Sequence, residues 1–163
     1  MADERAGPDP AARAAAADVQ VNLALVIRHA RLPRLHRRVL ANAGVFLDRS
    51  SYAVLVTVDG LGQVRLSDLA AEMMLDLSTV SRQVRRLEDA GLLERSVDPE
   101  DKRVSVVRPS AAGRVAANQL NHAWQDAFGE ALANWPEPEL REFASQLARL
   151  SEALRGIAEQ QPS

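Results

Sequence analysis

The sequence contains no cysteine, and aromatic residues make up only 4% of it. The first absence excludes disulfides, thiolate metal sites and a cysteine-based redox switch, and it suits a reducing compartment. The second, together with abundant Ala and Leu, argues against a β-sandwich and for a mostly helical chain. No apolar run approaches the roughly 18 residues of a membrane span, so none is expected. The opening stretch "MADERAGPDPAARAAAADVQ" carries acids and lacks a signal-peptide core. It is read as a flexible tail, residues 1–17, and the expected location is cytoplasmic. Basic charge is not in excess either. The formal net charge is −2, so nothing attracts nucleic acid globally and any DNA contact must rest on local charge and geometry.

Catalytic groups are also missing. There is no Gly-rich phosphate loop and no thiol nucleophile, and His29, His36 and His122 lack metal-ligand spacing. His29 and His36, two helical turns apart, give only a weak hint of a shared site. Neither an enzyme nor a cofactor is expected.

What is present is one domain's worth of chain: 163 residues, 47% hydrophobic, with residues 18–163 expected to form a single domain. From Asp18 to about Leu47, Val19, Leu23, Val26, Ile27, Leu35, Val39 and Leu40 recur at helical spacing. Pro33 interrupts that helix, which predicts a kink or two abutting helices around Arg31 to Arg34. Arg28, Arg31, Arg34, Arg37 and Arg38, with His29 and His36, read as a solvated face rather than a DNA contact. Tyr52 to Val58 fits helix or strand by periodicity. A Ser50 or Ser51 cap and the flanking helices favour helix.

The next thirty residues carry more information. In "LSDLAAEMM", Ser67 is read as the cap of a helix of about two turns. After a polar break near Asp76, "LSTVSRQVRRLEDAGLL" offers Ser78 as a second cap, and Val80, Val84 and Leu87 make a buried stripe. Gly91 ends this helix, with Leu92 and Leu87 as the apolar pair of a Schellman termination. Two short helices separated by a tight break suggest a helix-turn-helix. With Val80 set to zero at 100° per residue, Arg82 falls at about 200°, Arg86 at about 240° and Thr79 at about 260°, opposite the stripe. Ser78, Thr79, Arg82 and Arg86 are therefore the candidate groove contacts.

A hairpin follows directly. In "LLERSVDPEDKRVSVV", Leu93 and Val97 share one face of a strand, and Val104 and Val106 one face of the next, while Asp98-Pro99 starts the turn. The fold class expected is mainly α with a small β-hairpin wing. Lys102 and Arg103 at the tip suit a minor groove, whose negative potential attracts cations. Asp98 and Asp101, with Glu100, read as intraprotein partners that fix the tip and orient Arg103. A solvated charged turn is the alternative reading for each acid.

The stretch "LSDLAAEMMLDLSTVSRQVRRLEDAGLLERSVDPEDKRVSVVRPSAAG", Leu66 to Gly113, resembles the MarR (multiple-antibiotic-resistance regulator) family of winged-helix transcription factors. Its D-x-x-D-x-R wing, after "StvSR…LE-aGLLeR" and before Ser-x-x-Gly, carries the resemblance. The match implies a homodimer whose outer helices form the interface, with Asp101 and Arg103 as the wing aspartate and arginine. It also implies release from DNA by a small aromatic or anionic effector, whose binding residues the sequence does not identify. Pro109, where the family usually has Leu, and Pro33 in the first helix depart from the pattern.

The flanks support a dimer on their own terms. Ser110 to Ala133 reads as one helix, and a last helix carries Leu140, Phe143, Leu147, Leu150, Leu154 and Ile157 in steps of three and four. That seam needs a partner, so residues of about 18–47 and 110–160 are assigned to dimerisation around a winged helix-turn-helix of about 50–109. The function expected is a DNA-binding regulator, a repressor, that holds a pseudo-palindromic double-stranded operator. The alternative is a winged-helix protein-interaction module that never touches DNA, for which the near-balanced charge of residues 67–108 argues.

Overall fold

The computed structural model describes residues 9–97 and 104–159. Two units divide the chain, the first ending at Ala123 and the second beginning at Trp124. In the first, helices α1 (Pro10–Ala30), α2 (Pro33–Ala43) and α3 (Arg49–Leu61) precede strand β1 (Val64–Arg65). Then come α4 (Leu66–Glu72), α5 (Leu77–Asp89), β2 (Leu93–Val97) and β3 (Ser105–Pro109). Helix α6 (Ala111–Ala131) runs from the first unit into the second, which also holds α7 (Glu137–Glu159).

Helix α1 begins at Pro10 rather than at Asp18. Asp9 accepts a hydrogen bond from the Ala11 amide, Pro10 occupies the first turn, and the alanines that follow are good helix formers without an apolar stripe. The stretch expected to be tail is thus helical from Pro10 on. Two abutting helices do meet at Pro33: α1 stops at Ala30, and Pro33 opens α2 where its missing N–H costs nothing. Helix α2 ends at Ala43, short of Leu47, because Gly44 takes a left-handed φ of 65°.

Three helix starts differ from the expected ones, for related reasons. Asp48, not Ser50 or Ser51, caps α3, accepting from the Ser51 amide at 2.8 Å. Asp76, not Ser78, caps α5, accepting from the Thr79 amide at 2.8 Å. An ionised carboxylate accepts more strongly than a hydroxyl and has room for several donors, so where Asp and Ser compete for one helix start the Asp takes it. Helix α4 has no side-chain cap at all: Arg65 precedes it while still paired with Val106 in the sheet, and Ser67 lies inside the first turn, bonded to Asp68. The break between α4 and α5 is built by Met74, whose φ of 52° lets the Leu75 amide reach the Ala70 carbonyl at 3.0 Å.

The sheet has three strands in the order β1-β3-β2, all antiparallel, with Val64 opposite Val107 and Glu94 opposite Arg108. The strand at Val64–Arg65 makes the hairpin's inner strand, β3, a central one. Helices α3 and α4 both pack against β3, and adjacent Val106 and Val107 are both buried, where alternation predicts one face only. Leu93 is buried and Val97 is exposed although they share a face, since the core lies under only the inner end of β2. Pro109 closes β3. Ser110 accepts from the Gly113 amide at 2.9 Å and so caps the start of α6.

The core gathers Val54, Leu55 and Val58 of α3, Leu69 of α4, Val80, Val84 and Leu87 of α5, and Val107 of β3, all at most 1% exposed. Each such side chain contributes roughly 1.5–3 kcal/mol by leaving water. Helix α5 is the hub of this set: α3 and α4 both pack against it, and the buried Ser51 hydroxyl donates to Gln83 across the α3–α5 contact. The Schellman end at Gly91 forms as the sequence predicts. Gly91 has φ 70°, its amide reaches the Glu88 carbonyl, and the Leu92 amide reaches the Leu87 carbonyl, each at 2.8 Å. The direction of α5 is therefore fixed from both ends.

Candidate nucleic-acid interface

Because Val80, Val84 and Leu87 are buried, Ser78, Arg82, Arg85 and Arg86 face solvent on the opposite side of α5, with Thr79 half-buried at its edge. Arg85, at about 140° on the same wheel, shares this surface and was not among the residues picked from the sequence. The first turn is a closed hydrogen-bond network. Asp76 accepts from the Ser78 hydroxyl at 2.5 Å and from the Thr79 hydroxyl at 2.6 Å, in addition to the Thr79 amide. Arg82 folds back onto the same turn, donating through Nε to the Ser78 carbonyl at 3.3 Å and through Nη2 to the Thr79 hydroxyl at 3.2 Å. Donation by Ser78, then by the hydroxyl and amide of Thr79, holds the Asp76 carboxyl well below the usual carboxylate range. Asp76 is the residue that sequence reading missed here. Its signal was available, since Asp48-x-x-Ser51 and Asp76-x-x-Thr79 share one capping pattern.

Arg86 has a different role from Arg82. Its Nη1 lies 3.5 Å from Asp48 Oδ2, with both side chains more than half exposed, so it links α5 to the start of α3. Donation from the Ser51 amide, with lesser help from the Ser50 amide and Arg86, lowers the Asp48 carboxyl below its ordinary value. A depressed carboxylate adds stability above its unfolded pKa and loses that stability as pH falls through the folded one. We therefore expect Asp48→Ala to cost about 1 kcal/mol at neutral pH, the usual worth of a helix cap. In urea titrations the gap between wild type and variant should close as pH falls below the ordinary carboxylate range and through the depressed pKa of Asp48; a gap independent of pH would show that the charge contributes nothing.

The far end of α5 is tied to the sheet. Arg95 of β2 makes a two-pronged contact with Glu88, Nε to Oε1 at 3.0 Å and Nη2 to Oε2 at 3.1 Å, with both side chains less than a third exposed. Directly across the strands, Arg108 donates from Nε and Nη2 to Glu94 at 3.0 and 2.8 Å. Arg95 thus aligns β2 with α5 and Arg108 ties β3 to β2, each through a planar guanidinium whose geometry resists rotation better than an ammonium contact. Asp98, Asp101, Lys102 and Arg103 lie outside the described residues. Among the described residues no cluster of three or more His, Asp or Glu side chains is arranged to hold a metal ion.

The arrangement presents a short polar helix edge over a buried inner edge, with a strand pair projecting beside it. The sequence model of the MarR family matches residues 47–105, which span α3 through the start of β3. An HTH-type transcriptional regulator of Bacillus subtilis, YxaD, itself uncharacterised, is 34% identical over 107 residues, covering 66% of this chain and 75% of that one. The chain belongs to the MarR family. It is accordingly a winged helix-turn-helix, DNA-binding transcriptional regulator. A MarR crystal structure superposes with a TM-score of 0.70 over 98% of this chain and 99% of the other, at 22% identity. FabT of Streptococcus pneumoniae, solved in complex with DNA, superposes with a TM-score of 0.59 at 19% identity, covering 91% and 99% of the two chains. The mainly helical fold with a small antiparallel sheet matches the MarR-like architecture expected from Leu66 to Gly113.

Proposed function

We propose that this MarR-family protein is a cytoplasmic homodimeric repressor that binds a pseudo-palindromic operator in double-stranded DNA. Ser78, Thr79 and Arg82 meet base edges in the major groove, and Lys102 and Arg103, oriented by Asp98 and Asp101, enter the flanking minor groove. Arg86 engages a phosphate by exchanging it for Asp48, so its share of the affinity is smaller. The observation that carries this reading is the division of α5 into an apolar edge sealed in the core and a polar edge whose side chains are already ordered. Pre-ordered groups lose less entropy on binding. The DNA complex of FabT supports the same use of the fold.

Repression follows from occlusion: a dimer holding an operator within a promoter blocks polymerase. Binding should be tested by footprinting the protein on DNA upstream of its own gene. Protection of two half-sites whose centres lie about 34 Å apart is expected, and failure to protect any duplex, with folded protein, would favour the protein-interaction alternative.

Dimerisation is supported by two long helices whose apolar side chains are left exposed in one chain. Among the described residues neither α1 nor α7 has a buried side chain, and α7 leaves Phe143, Leu147, Leu154 and Ile157 each more than 40% exposed. Surface of that kind in long helices is suited to a second copy. The double variant Leu147→Glu, Leu154→Glu is expected to sediment as a monomer and to bind operator at least about a hundredfold more weakly, as loss of a linked second site implies. A variant that stays dimeric would remove α7 from the interface.

Effector release is supported by an unpartnered polar atom in the first unit. His36 packs edge-on against Tyr52 at 4.9 Å between ring centroids, and its Nε2 is buried with no hydrogen-bond partner among the described residues. Burial, reinforced by the Arg49 charge, lowers the His36 pKa and favours the neutral ring. An aromatic acid that satisfies Nε2 and pairs with Arg49 would shift the protein towards its DNA-incompetent form only by binding that form better. Thermal shift with aromatic acids, followed by DNA release, tests this; stabilisation without release would count against effector control.

A further inference from the structure

We propose that Asp76 sets the base preference of α5 by taking both hydroxyl protons of its first turn. Ser78 and Thr79 then act as hydrogen-bond acceptors only, selecting on the strand they contact a base that presents an exocyclic amine in the major groove, adenine through N6 or cytosine through N4, over guanine or thymine. The inference rests on the operator-binding reading above and goes beyond it in naming the chemistry that each position reads.

The polarity follows from the donors and acceptors present. An ionised carboxylate has no proton to give, so in the Ser78–Asp76 contact at 2.5 Å and the Thr79–Asp76 contact at 2.6 Å the hydroxyls must be the donors. Both distances fall in the range of charge-assisted O–H···O⁻ bonds. Thr79 Oγ1 accepts from Arg82 Nη2 as well, which leaves one lone pair on Thr79 and two on the more exposed Ser78. A free hydroxyl rotates and donates or accepts according to the base it meets, so it discriminates poorly. Clamped hydroxyls do not have that choice. Guanine O6 and N7, thymine O4 and phosphate oxygens are all acceptors and would face lone pairs. The depressed pKa of Asp76 keeps its carboxylate ionised throughout the neutral range. The positive end of the α5 dipole favours a negative charge at this cap. Arg82 retains free N–H groups for guanine, so the turn combines a fixed acceptor pair with a donor fork.

The test is selection of duplexes with randomised half-sites by the full-length protein and its variants. Wild type should enrich an amine-bearing base at the positions met by Ser78 and Thr79. In Asp76→Asn, Oδ1 still caps the Thr79 amide and accepts from Ser78, while the new amide nitrogen faces Thr79 Oγ1 and turns the threonine proton outward. The preference at the Thr79 position should then move roughly three- to tenfold towards guanine or thymine, the worth of one hydrogen bond, with the Ser78 position unchanged. Ser78→Ala should erase the preference at its own position alone. An Asp76→Asn protein that selects the wild-type sequence with wild-type affinity overturns the proposal. Should that variant fail to fold, Thr79→Val in the otherwise native chain decides: loss of the amine preference at that position supports the proposal, and its retention overturns it. Absence of any enrichment by wild type would overturn the operator-binding reading and this inference with it, a pattern distinct from enrichment indifferent to Asp76.

Discussion

Gly113→Ala is expected to destabilise the first unit by about 3 kcal/mol or more, through a single added methyl group. A Cβ at Gly113 would stand 1.9 Å from the Leu92 carbonyl oxygen and 2.9 Å from its carbon, both backbone atoms. That carbonyl has little freedom to withdraw. It accepts the Ser110 amide at 3.0 Å, and the amide of the same residue closes the Schellman end of α5 on Leu87. Ser110 binds the junction further by donating from Oγ to the Gly91 carbonyl at 2.6 Å while accepting from the Gly113 amide. Relief of the clash would therefore require moving the start of α6 or unwinding the last turn of α5. Against a total stability of about 5–15 kcal/mol for an ordinary domain, the loss is large. Urea denaturation should show a lower midpoint at an unchanged slope, and operator affinity should fall in conditions where the variant remains folded. A wild-type midpoint would show that α6 and the end of α5 separate freely, and the close approach would then have no structural importance.

The same junction shows what was legible in the sequence. Gly91 could be read as a helix end because a left-handed residue followed by Leu92, with Leu87 four positions before Gly91, is a local pattern with a local cause. The stripe of Val80, Val84 and Leu87 was legible for the same reason, since helical periodicity is a property of one segment. The requirement for glycine at 113 was not, because it arises from a carbonyl twenty-one positions earlier that only the folded chain brings near. Strand β1 escaped notice because two residues are too few to alternate, and its partner lies in β3.

Capping chemistry falls between these cases. Asp-x-Ser-Ser at 48–51 and Asp-x-Ser-Thr at 76–79 each contain several residues able to start a helix, and propensity alone does not rank them. The ranking comes from ionisation: each carboxylate accepts from the amide three positions on, and Asp76 from the two hydroxyls as well, whereas a serine cap would leave the acid without those donors. Of the residues picked as groove contacts, Ser78, Thr79 and Arg82 are brought into one bonded turn, while Arg86 is directed to Asp48. Wheel angles identify the face on which a side chain lies. They do not reveal the partner it finds on a neighbouring helix.

Arg82→Ala is expected to reduce discrimination between the operator and single-base variants by about 1–3 kcal/mol, the worth of a bidentate base contact. The guanidinium is held by the Ser78 carbonyl and the Thr79 hydroxyl, so little rotamer freedom remains to be lost when it meets a base. Its removal should change the slope of log K against log salt only slightly, because a base contact displaces few counterions. Arg103→Ala should behave in the opposite way, weakening all sequences alike and lowering that slope by about 0.9 for one phosphate no longer neutralised. Fluorescence anisotropy titrations of operator and scrambled duplex, each at several salt concentrations, separate the two patterns. An equal loss on both duplexes for Arg82→Ala would place its guanidinium on phosphate. The sequence preference of α5 would then have to come from Ser78, Thr79 and Arg85 alone.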